Sequence, residues 1–437
     1  MNRTLALLAL LVVLALAGPA RSAELAYSFR TTAGGGVALL SVDDSSGAVR
    51  SHQVLFQDAR CALAKKVRYS TDGSRVLLTI ETEDKPYAFL AHSTSPAKPL
   101  VLDLPEPCDE ARASDGCFVI TCGKGKLVLV DARSGEREEV WKGHDELDPA
   151  ASDPEDVAVA TLDGEPWVIA SFQKDRKEGK YKGNRVALIP LPSMKHAVDV
   201  LLPRDRPKLH LAGNDELQGP CPEVVLPLPA ANRLLVSLDL YGAVALMDLD
   251  AALEGRLAHY TVLPTEPDGK WGNSFPDRAA LVPGPEGRSR ILVTNAGRSG
   301  GAVLVDPASR SLAGAWATPP GLETPEWVAP LDAAVAVCTG KTKFRTSEAV
   351  EKEYHPLTEL YLIPAGPGAG RKKAIRTFDL KAPTRMAAAV NPASSRFIVV
   401  ALESAGDDRL VVVDGATGKP AAEVAAAGQV QRFERRP

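Results

Sequence analysis

The 437-residue chain lacks most of the patterns that announce a particular chemistry. It contains no CxxC, CxxCH or HExxH, so zinc-ribbon, haem-attachment and zinc-hydrolase sites are without their usual ligands. GPGAGRKK (366–373) has glycines and lysines but lacks GxxxxGK and a following helix, and reads as a loop. GRSGG (297–301) matches GxSxG by letter. It sits in a hairpin between two strands, whereas a hydrolase elbow needs a strand, a sharp turn and a helix. Helix caps joined to a sustained 3.6-residue period are scarce. Beyond the first residues no segment is apolar for long enough to span a bilayer. An excess of basic charge is missing too: the net charge is −4, and removing the two arginines of the leader takes it to −6. A general nucleic-acid binder needs a basic footprint that is not there.

What is present begins with a leader. Arg3 supplies a basic start, Leu5 to Ala17 an apolar stretch, and Ala-Arg-Ser-Ala (20–23) a small-residue cleavage site. Residues 1–23 are therefore expected to be a secretory signal peptide. Residues 24–437 then form a single periplasmic or secreted domain, a monomer with no transmembrane segment. The six cysteines, Cys61, Cys108, Cys117, Cys122, Cys221 and Cys338, fit disulfides or plain buried thiols in such a compartment. Cys108 and Cys122 flank the turn at 114–116 at nearly equal distance, so a cross-strand bridge between them is geometrically open.

A four-strand unit recurs at roughly 50-residue intervals. Its third strand is the easiest to see, in GVALLSVDDSSG (36–47), KLVLVDARSGE (126–136), AVALMDLD (243–250), GAVLVDPASR (301–310) and RLVVVDGATGK (409–419). Each is rich in leucine and β-branched residues, then bends at Asp with Gly or Ser close behind, which is strand chemistry ending in turn chemistry. Entry strands start near Lys66, Asp109, Glu155, Glu223, Asp277, Glu326 and Thr384. Three strands are left over at the front and one, QVQRFERR, at the end. Pairing them makes one more unit, which predicts an all-β propeller of eight four-stranded blades closed by its two termini, with seven blades as the alternative.

RLVVVDGATGKPAAEV resembles the YVTN-type repeat of extracytoplasmic propellers, and YSTDGSRVLLTIE (69–81) is similar to the repeat of TolB-like propellers. The resemblance covers the mature chain and implies architecture. It leaves function open, because such propellers host binding proteins, assembly factors and enzymes alike.

In a propeller the loop into strand one and the hairpin between strands two and three open on one face, here called the entry face. Every long insertion falls there: 143–152, 172–185, 203–219, 264–274 and 340–356. Loops on a rigid scaffold carry function, so the working surface is expected on this face. There too the chain repeats Pro-Glu or Pro-Asp at the head of a buried run: DPEDVAV (153–159), CPEVVLPL (221–228), FPDRAAL (275–281) and TPEWVAP (324–330). Proline ends the loop where no ladder hydrogen bond is needed. The acid then stands at the channel mouth, giving a ring of Asp109, Glu155, Glu223, Asp277 and Glu326. Lys65-Lys66 and Pro383-Thr384-Arg385 break the pattern.

Two readings of the ring stand open. The carboxylates accept backbone hydrogen bonds from neighbouring blades and seal the ring, or they converge on Ca²⁺ or a cationic partner. Other candidates are the basic hairpin of Lys174, Arg176, Lys177, Lys180, Tyr181, Lys182 and Arg185, and the run 341–353 with Lys341, Lys343 and Arg345, read as a short helix or an ordered lid. Both suit a protein or polysaccharide partner. His144, His210 and His355 all fall in entry-face insertions. The leading expectation is a non-enzymatic propeller that binds a partner or ligand on its entry face, with no cofactor. The alternatives are a metal-dependent, lactonase-like hydrolase using the mouth carboxylates and a quinoprotein-like redox protein.

Overall fold

Middle strands such as Phe397–Leu402, buried at every residue, have no polar face to show to water. A strand of that kind needs cover on both sides, and a ring of face-packed sheets provides it. In the computed structural model, which describes residues 22–437 apart from 81–85, 124, 142–153, 174–182, 192–196, 205–218, 270–273, 346–349 and 368–373, eight antiparallel four-stranded sheets are arranged as an eight-bladed β-propeller. Blades 1 to 7 follow chain order. Their inner strands are Ala64–Tyr69, Cys108–Ser114, Pro154–Leu162, Pro222–Leu228, Pro276–Pro283, Leu322–Val328 and Thr384–Ala389. Blade 8 takes its inner strand, Gln429–Arg435, from the C-terminal end and its other three, Ser22–Thr31, Gly34–Asp43 and Val49–Asp58, from the front. Leu25 pairs with Arg435 and Arg30 with Gln429, which closes the ring.

Hydrophobic clusters fill the gaps between successive blades. Leu77, Leu90, Phe118 and Ile120 join blades 1 and 2, and Ile169, Leu188, Leu234 and Met247 join blades 3 and 4. Tyr27, Phe29, Val399 and Phe433 lock blade 7 to the closing blade. Truncating a fully buried phenylalanine here costs about 3–5 kcal/mol. No helix among the described residues is long and apolar enough to cross a membrane.

Turns on the face opposite the entry face explain why the third strand bends at Asp with Ser or Gly close behind. Asp43 Oδ1 accepts from the amides of Ser45 and Ser46, and Asp131 Oδ1 from those of Arg133 and Ser134. Gly47 and Gly135, at φ 71° and 75°, then take the left-handed step that returns the chain to the fourth strand. Blade 4 departs from this rule, because Asp248 leads into a short helix, Leu249–Leu253, before the fourth strand.

The insertion at 340–356 is not a short helix. It forms a β-hairpin, Lys341–Arg345 paired with Val350–Tyr354, inserted between the second and third strands of blade 6. Its hydrogen bonds run sideways to a neighbouring blade: Lys343 N donates to Ala296 O at 2.7 Å, from blade 5. Arg298 pairs with Glu353 and stacks over the Phe344 ring at 3.8 Å, and Tyr354 bonds Glu403 of blade 7.

Candidate functional site at the channel mouth

The recurrent acidic motif coincides with a β-bulge. In blades 1 to 4 two residues of the inner strand oppose one residue of the second strand: Lys65-Lys66, Asp109-Glu110, Glu155-Asp156 and Glu223-Val224. In blades 5 and 7 the extra residue is Asp277 or Arg385. A bulge frees a side chain from the alternation of the strand and re-aims it. The amide it takes out of the ladder is satisfied locally by a hydroxyl on the strand opposite. Lys66 N donates to Thr79, Glu110 N to Thr121, Asp156 N to Ser171 and Val224 N to Ser237. This second-strand Ser or Thr, near the strand's entry end, is a sequence signal that partners the Pro-acid motif.

On one side of the mouth the bulge carboxylates meet an ammonium from the hairpin. Lys343 Nζ lies 2.7 Å from Asp277 Oδ1, 2.9 Å from Glu223 Oε2 and 3.5 Å from Asp239 Oδ2. All four side chains are buried or nearly so. Burial, and then the neighbouring Asp239, hold the Glu223 carboxyl well above the usual range, while Arg278 and Lys343 outweigh burial at Asp277 and hold it well below. The protonated form is thus favoured at Glu223 and the charged form at Asp277, the two sharing the Lys343 ammonium.

A second network links the blades around the channel. Glu110 pairs with Lys66 at 2.9 Å, Arg68 at 2.8 Å and Arg112 at 3.0 Å. Arg68 also reaches Glu434 of blade 8 at 3.0 Å, Arg112 reaches Asp156 of blade 3 at 3.1 Å, and Asp156 accepts from the Val225 amide of blade 4. Apart from Arg112–Glu110, which stays within blade 2, each link crosses one blade interface.

The other side of the mouth is open and cationic. A cavity of about 410 Å³ is lined by seven basic residues, Arg30, Lys65, Lys66, Arg278, Lys341, Arg385 and Arg432, against two acidic ones, Glu323 and Glu403. Some of these charges are answered: Arg278 by Asp277 and Glu323 at 3.1 Å each, Arg385 by Asp408 at 2.8 Å. Arg432, on the closing strand, has no carboxylate at ion-pair distance among the described residues; Glu110 and Glu323 act on it only from farther away. Burial, then Arg68 and Arg278, pull its pKa down to about 10. Burial likewise brings Lys66 down to about 8 against the pull of Glu110, with Arg432, Arg278 and Arg68 adding to the fall. Such a crowd of cations is complementary to an anion.

The expected site residues are distributed as follows. Glu223 and Asp277 share Lys343. Glu155 is half-buried at the blade 3 bulge, and its neighbour Asp156 makes the contact to the next blade. The side chain of Asp109 lies outside the described residues, and Glu110 beside it is the hub. Glu326 is not at the mouth: the inner strand of blade 6 starts four residues before it, at Leu322. It sits down the channel, accepting from the Ala389 amide at 2.8 Å and pairing with Arg435 at 2.7 Å, while Glu323 takes the mouth position.

Lys343 is an internal counter-ion and not a partner-facing residue. Arg185 is buried too, stacked 4.1 Å over the Phe172 ring and 3.7 Å from Asp199, because it belongs to the third strand and not to the loop before it. Lys341 is exposed and lines the cavity. The side chain of Arg345, and Lys174, Arg176, Lys177, Lys180, Tyr181, Lys182, His144 and His210, lie outside the described residues. His355 is exposed, with its ring 3.3 Å from Glu353 and its amide donating to the Gly340 carbonyl. Cys108 and Cys122 are direct cross-strand partners, but both are free thiols. Cys108 Sγ is turned to the Ile80 carbonyl of blade 1, 3.5 Å away, and both side chains fill the core between blades 1 and 2. Cysteines Cys61, Cys221 and Cys338 are likewise buried free thiols, and Cys117 is half-buried.

Residues absent from the sequence-derived ring complete the site: Asp239, Arg278, Arg385, Arg432 and Lys66. Two of them were visible as exceptions, since Lys65-Lys66 and Arg385 are where the acidic pattern breaks.

The fold and the site define an eight-bladed β-propeller with a charge-divided channel mouth. No family model and no curated protein matches the chain. Among solved structures it is similar to a dihydro-heme d1 dehydrogenase, NirN, in complex with DHE (14% identity, 94% of this chain and 74% of that one, TM-score 0.66). It is also similar to apo AztD from Citrobacter koseri (12% identity, 95% and 98%, TM-score 0.54) and to a periplasmic gluconolactonase, PpgL, from Pseudomonas aeruginosa (13% identity, 95% and 99%, TM-score 0.50). At these identities the likeness is one of fold.

Proposed function

We propose that this propeller is an exported binding protein for a small anionic molecule, held in the cavity on the open side of the channel mouth. The observation that carries this reading is Arg432. A half-buried guanidinium crowded by other cations, with no carboxylate at ion-pair distance among the described residues, is costly to hold unless an anion completes it. Its planar fork suits a carboxylate or a phosphate. Lys66, Arg278 and Arg385 stand around it, and the volume is that of a small-molecule site. The carboxylates that would serve a Ca²⁺ ion, Glu223 and Asp277, already hold Lys343, which speaks for binding over the metal-dependent hydrolase reading. The leader sequence supports a place outside the cytoplasm.

Titration calorimetry of the purified chain with acetate, succinate, citrate and phosphate tests it. Binding should weaken as ionic strength rises and fall about tenfold or more in Arg432→Gln, the usual size of a charge-assisted pair. If none of the four binds, or Arg432→Gln binds as well as the parent, the reading is wrong.

A further inference from the structure

Two cations of the cavity have no carboxylate partner at ion-pair distance among the described residues, and they stand at its two ends. Arg432 is at the floor. It also lines a second cavity of about 310 Å³ whose other walls include Glu326, Ala388 and Glu434, all in the farther halves of their inner strands. Lys341 is at the rim: it is exposed and begins the inserted hairpin. The lining also includes the neutral hydroxyls of Thr339 and Thr384. Thr384 Oγ1 lies within donating distance of the carbonyls of Cys338 and Leu357, and Thr339 Oγ1 of that of Gly321, so both hydroxyl protons are already engaged by backbone. Lys66, Arg278 and Arg385, which have carboxylate partners, also line the cavity.

We infer that the ligand carries two acidic groups, one at each end, with the inner group on the Arg432 guanidinium and the outer on the Lys341 ammonium. The inference rests on the anion-binding reading and adds to it the number and placement of the charges. A monoanion satisfies Arg432 and leaves Lys341 in water, where an ammonium costs nothing to leave but gains nothing either. A dianion of the right length engages both, and the second contact is made without a second loss of translational freedom. Because Lys341 lies on the blade 6 hairpin and Arg432 on the strand that closes the ring, such a ligand also ties the hairpin down. Binding should therefore raise the melting temperature more for a dianion than for a monoanion at equal occupancy.

Affinities for succinate, glutarate, adipate and pimelate, each set against the monocarboxylate of equal length, test this by calorimetry on the full mature chain. One dicarboxylate length should bind about tenfold or more tighter than its monocarboxylate, the scale of one charge-assisted contact. In Lys341→Gln that ratio should fall towards one, whereas Arg432→Gln should weaken both members of the pair. A ratio near one at every length in the parent, or a ratio unchanged in Lys341→Gln, overturns the two-ended ligand and leaves anion binding standing. No binding by either series overturns both. Lys341 is a surface residue, so its variant folds and the decisive ratio is measurable even if Arg432→Gln does not fold.

Discussion

Replacing Lys343 by methionine removes one charge from the mouth while keeping the length of an apolar stem. In the parent its ammonium faces three carboxyls whose side chains are only 5–9% exposed, at 2.7 to 3.5 Å. Two unit charges about 4 Å apart attract by about 4 kcal/mol at an effective dielectric of about 20, and taking the lysine out of water offsets part of that. Removing one partner of such a buried cluster costs about 3–5 kcal/mol, because the carboxylates are left uncompensated. For a chain of this size that corresponds to a fall in melting temperature of about 3–6 °C. The carboxyls will answer by taking up protons. Their folded pKa values then lie above the unfolded ones, so stability is retained at low pH and lost as pH rises through them. Thermal unfolding followed by near-UV circular dichroism should show the larger deficit at pH 8 and the smaller at pH 5. The double variant Lys343→Met/Asp277→Asn should recover part of the loss. A single variant that melts within about one degree of the parent at pH 8, or loses more at pH 5 than at pH 8, refutes the reasoning.

Three other outcomes are expected. Glu223, whose carboxyl is held well above its ordinary range, binds more protons folded than unfolded, so its contribution is present at acid pH and lost as pH rises; Glu223→Gln should gain stability relative to the parent between pH 5 and pH 9, and denaturant titrations showing the opposite trend would count against a protonated Glu223. Lys66, at about 8, must be charged to hold an anion, so affinity should fall as pH rises from 7 to 9, by up to about tenfold, and Lys66→Arg should flatten the curve in calorimetry. Glu326→Ala orphans the Ala389 amide and leaves Arg435 without its carboxylate, which should cost about 1–3 kcal/mol in urea unfolding, with anion affinity little changed.

Much of the architecture was legible because it is written in short-range chemistry. Asp43 and Asp131 cap turns two and three residues away, and the closing strand was identifiable as the single strand left unpaired at the C-terminal end. The Pro-acid motif was visible as a repeat, but its cause, a bulge whose amide is held by a Ser or Thr on the next strand, involves residues 11 to 15 positions apart. Glu326 shows the limit of such reading: the motif TPE is present, yet the strand begins at Leu322, so the acid faces the channel interior and meets the amide of another blade.

The sequence by itself determined strand content, blade count, ring closure and the face on which the insertions gather, since strand period, turn capping and repeat spacing are all properties of neighbouring residues. Only the tertiary structure decided which charges are answered and which are not. Lys343 meets Asp277, Asp239 and Glu223 across 66, 104 and 120 residues. Arg432 is brought against Arg68 and Arg278 from opposite sides of the channel. A charge's partner in a closed ring is set by where the inner strands converge, and that convergence has no counterpart in local sequence. The acidic motif alone left blade sealing and cation binding both open; the folded ring fills that side of the mouth with its own lysine and gathers basic residues on the other.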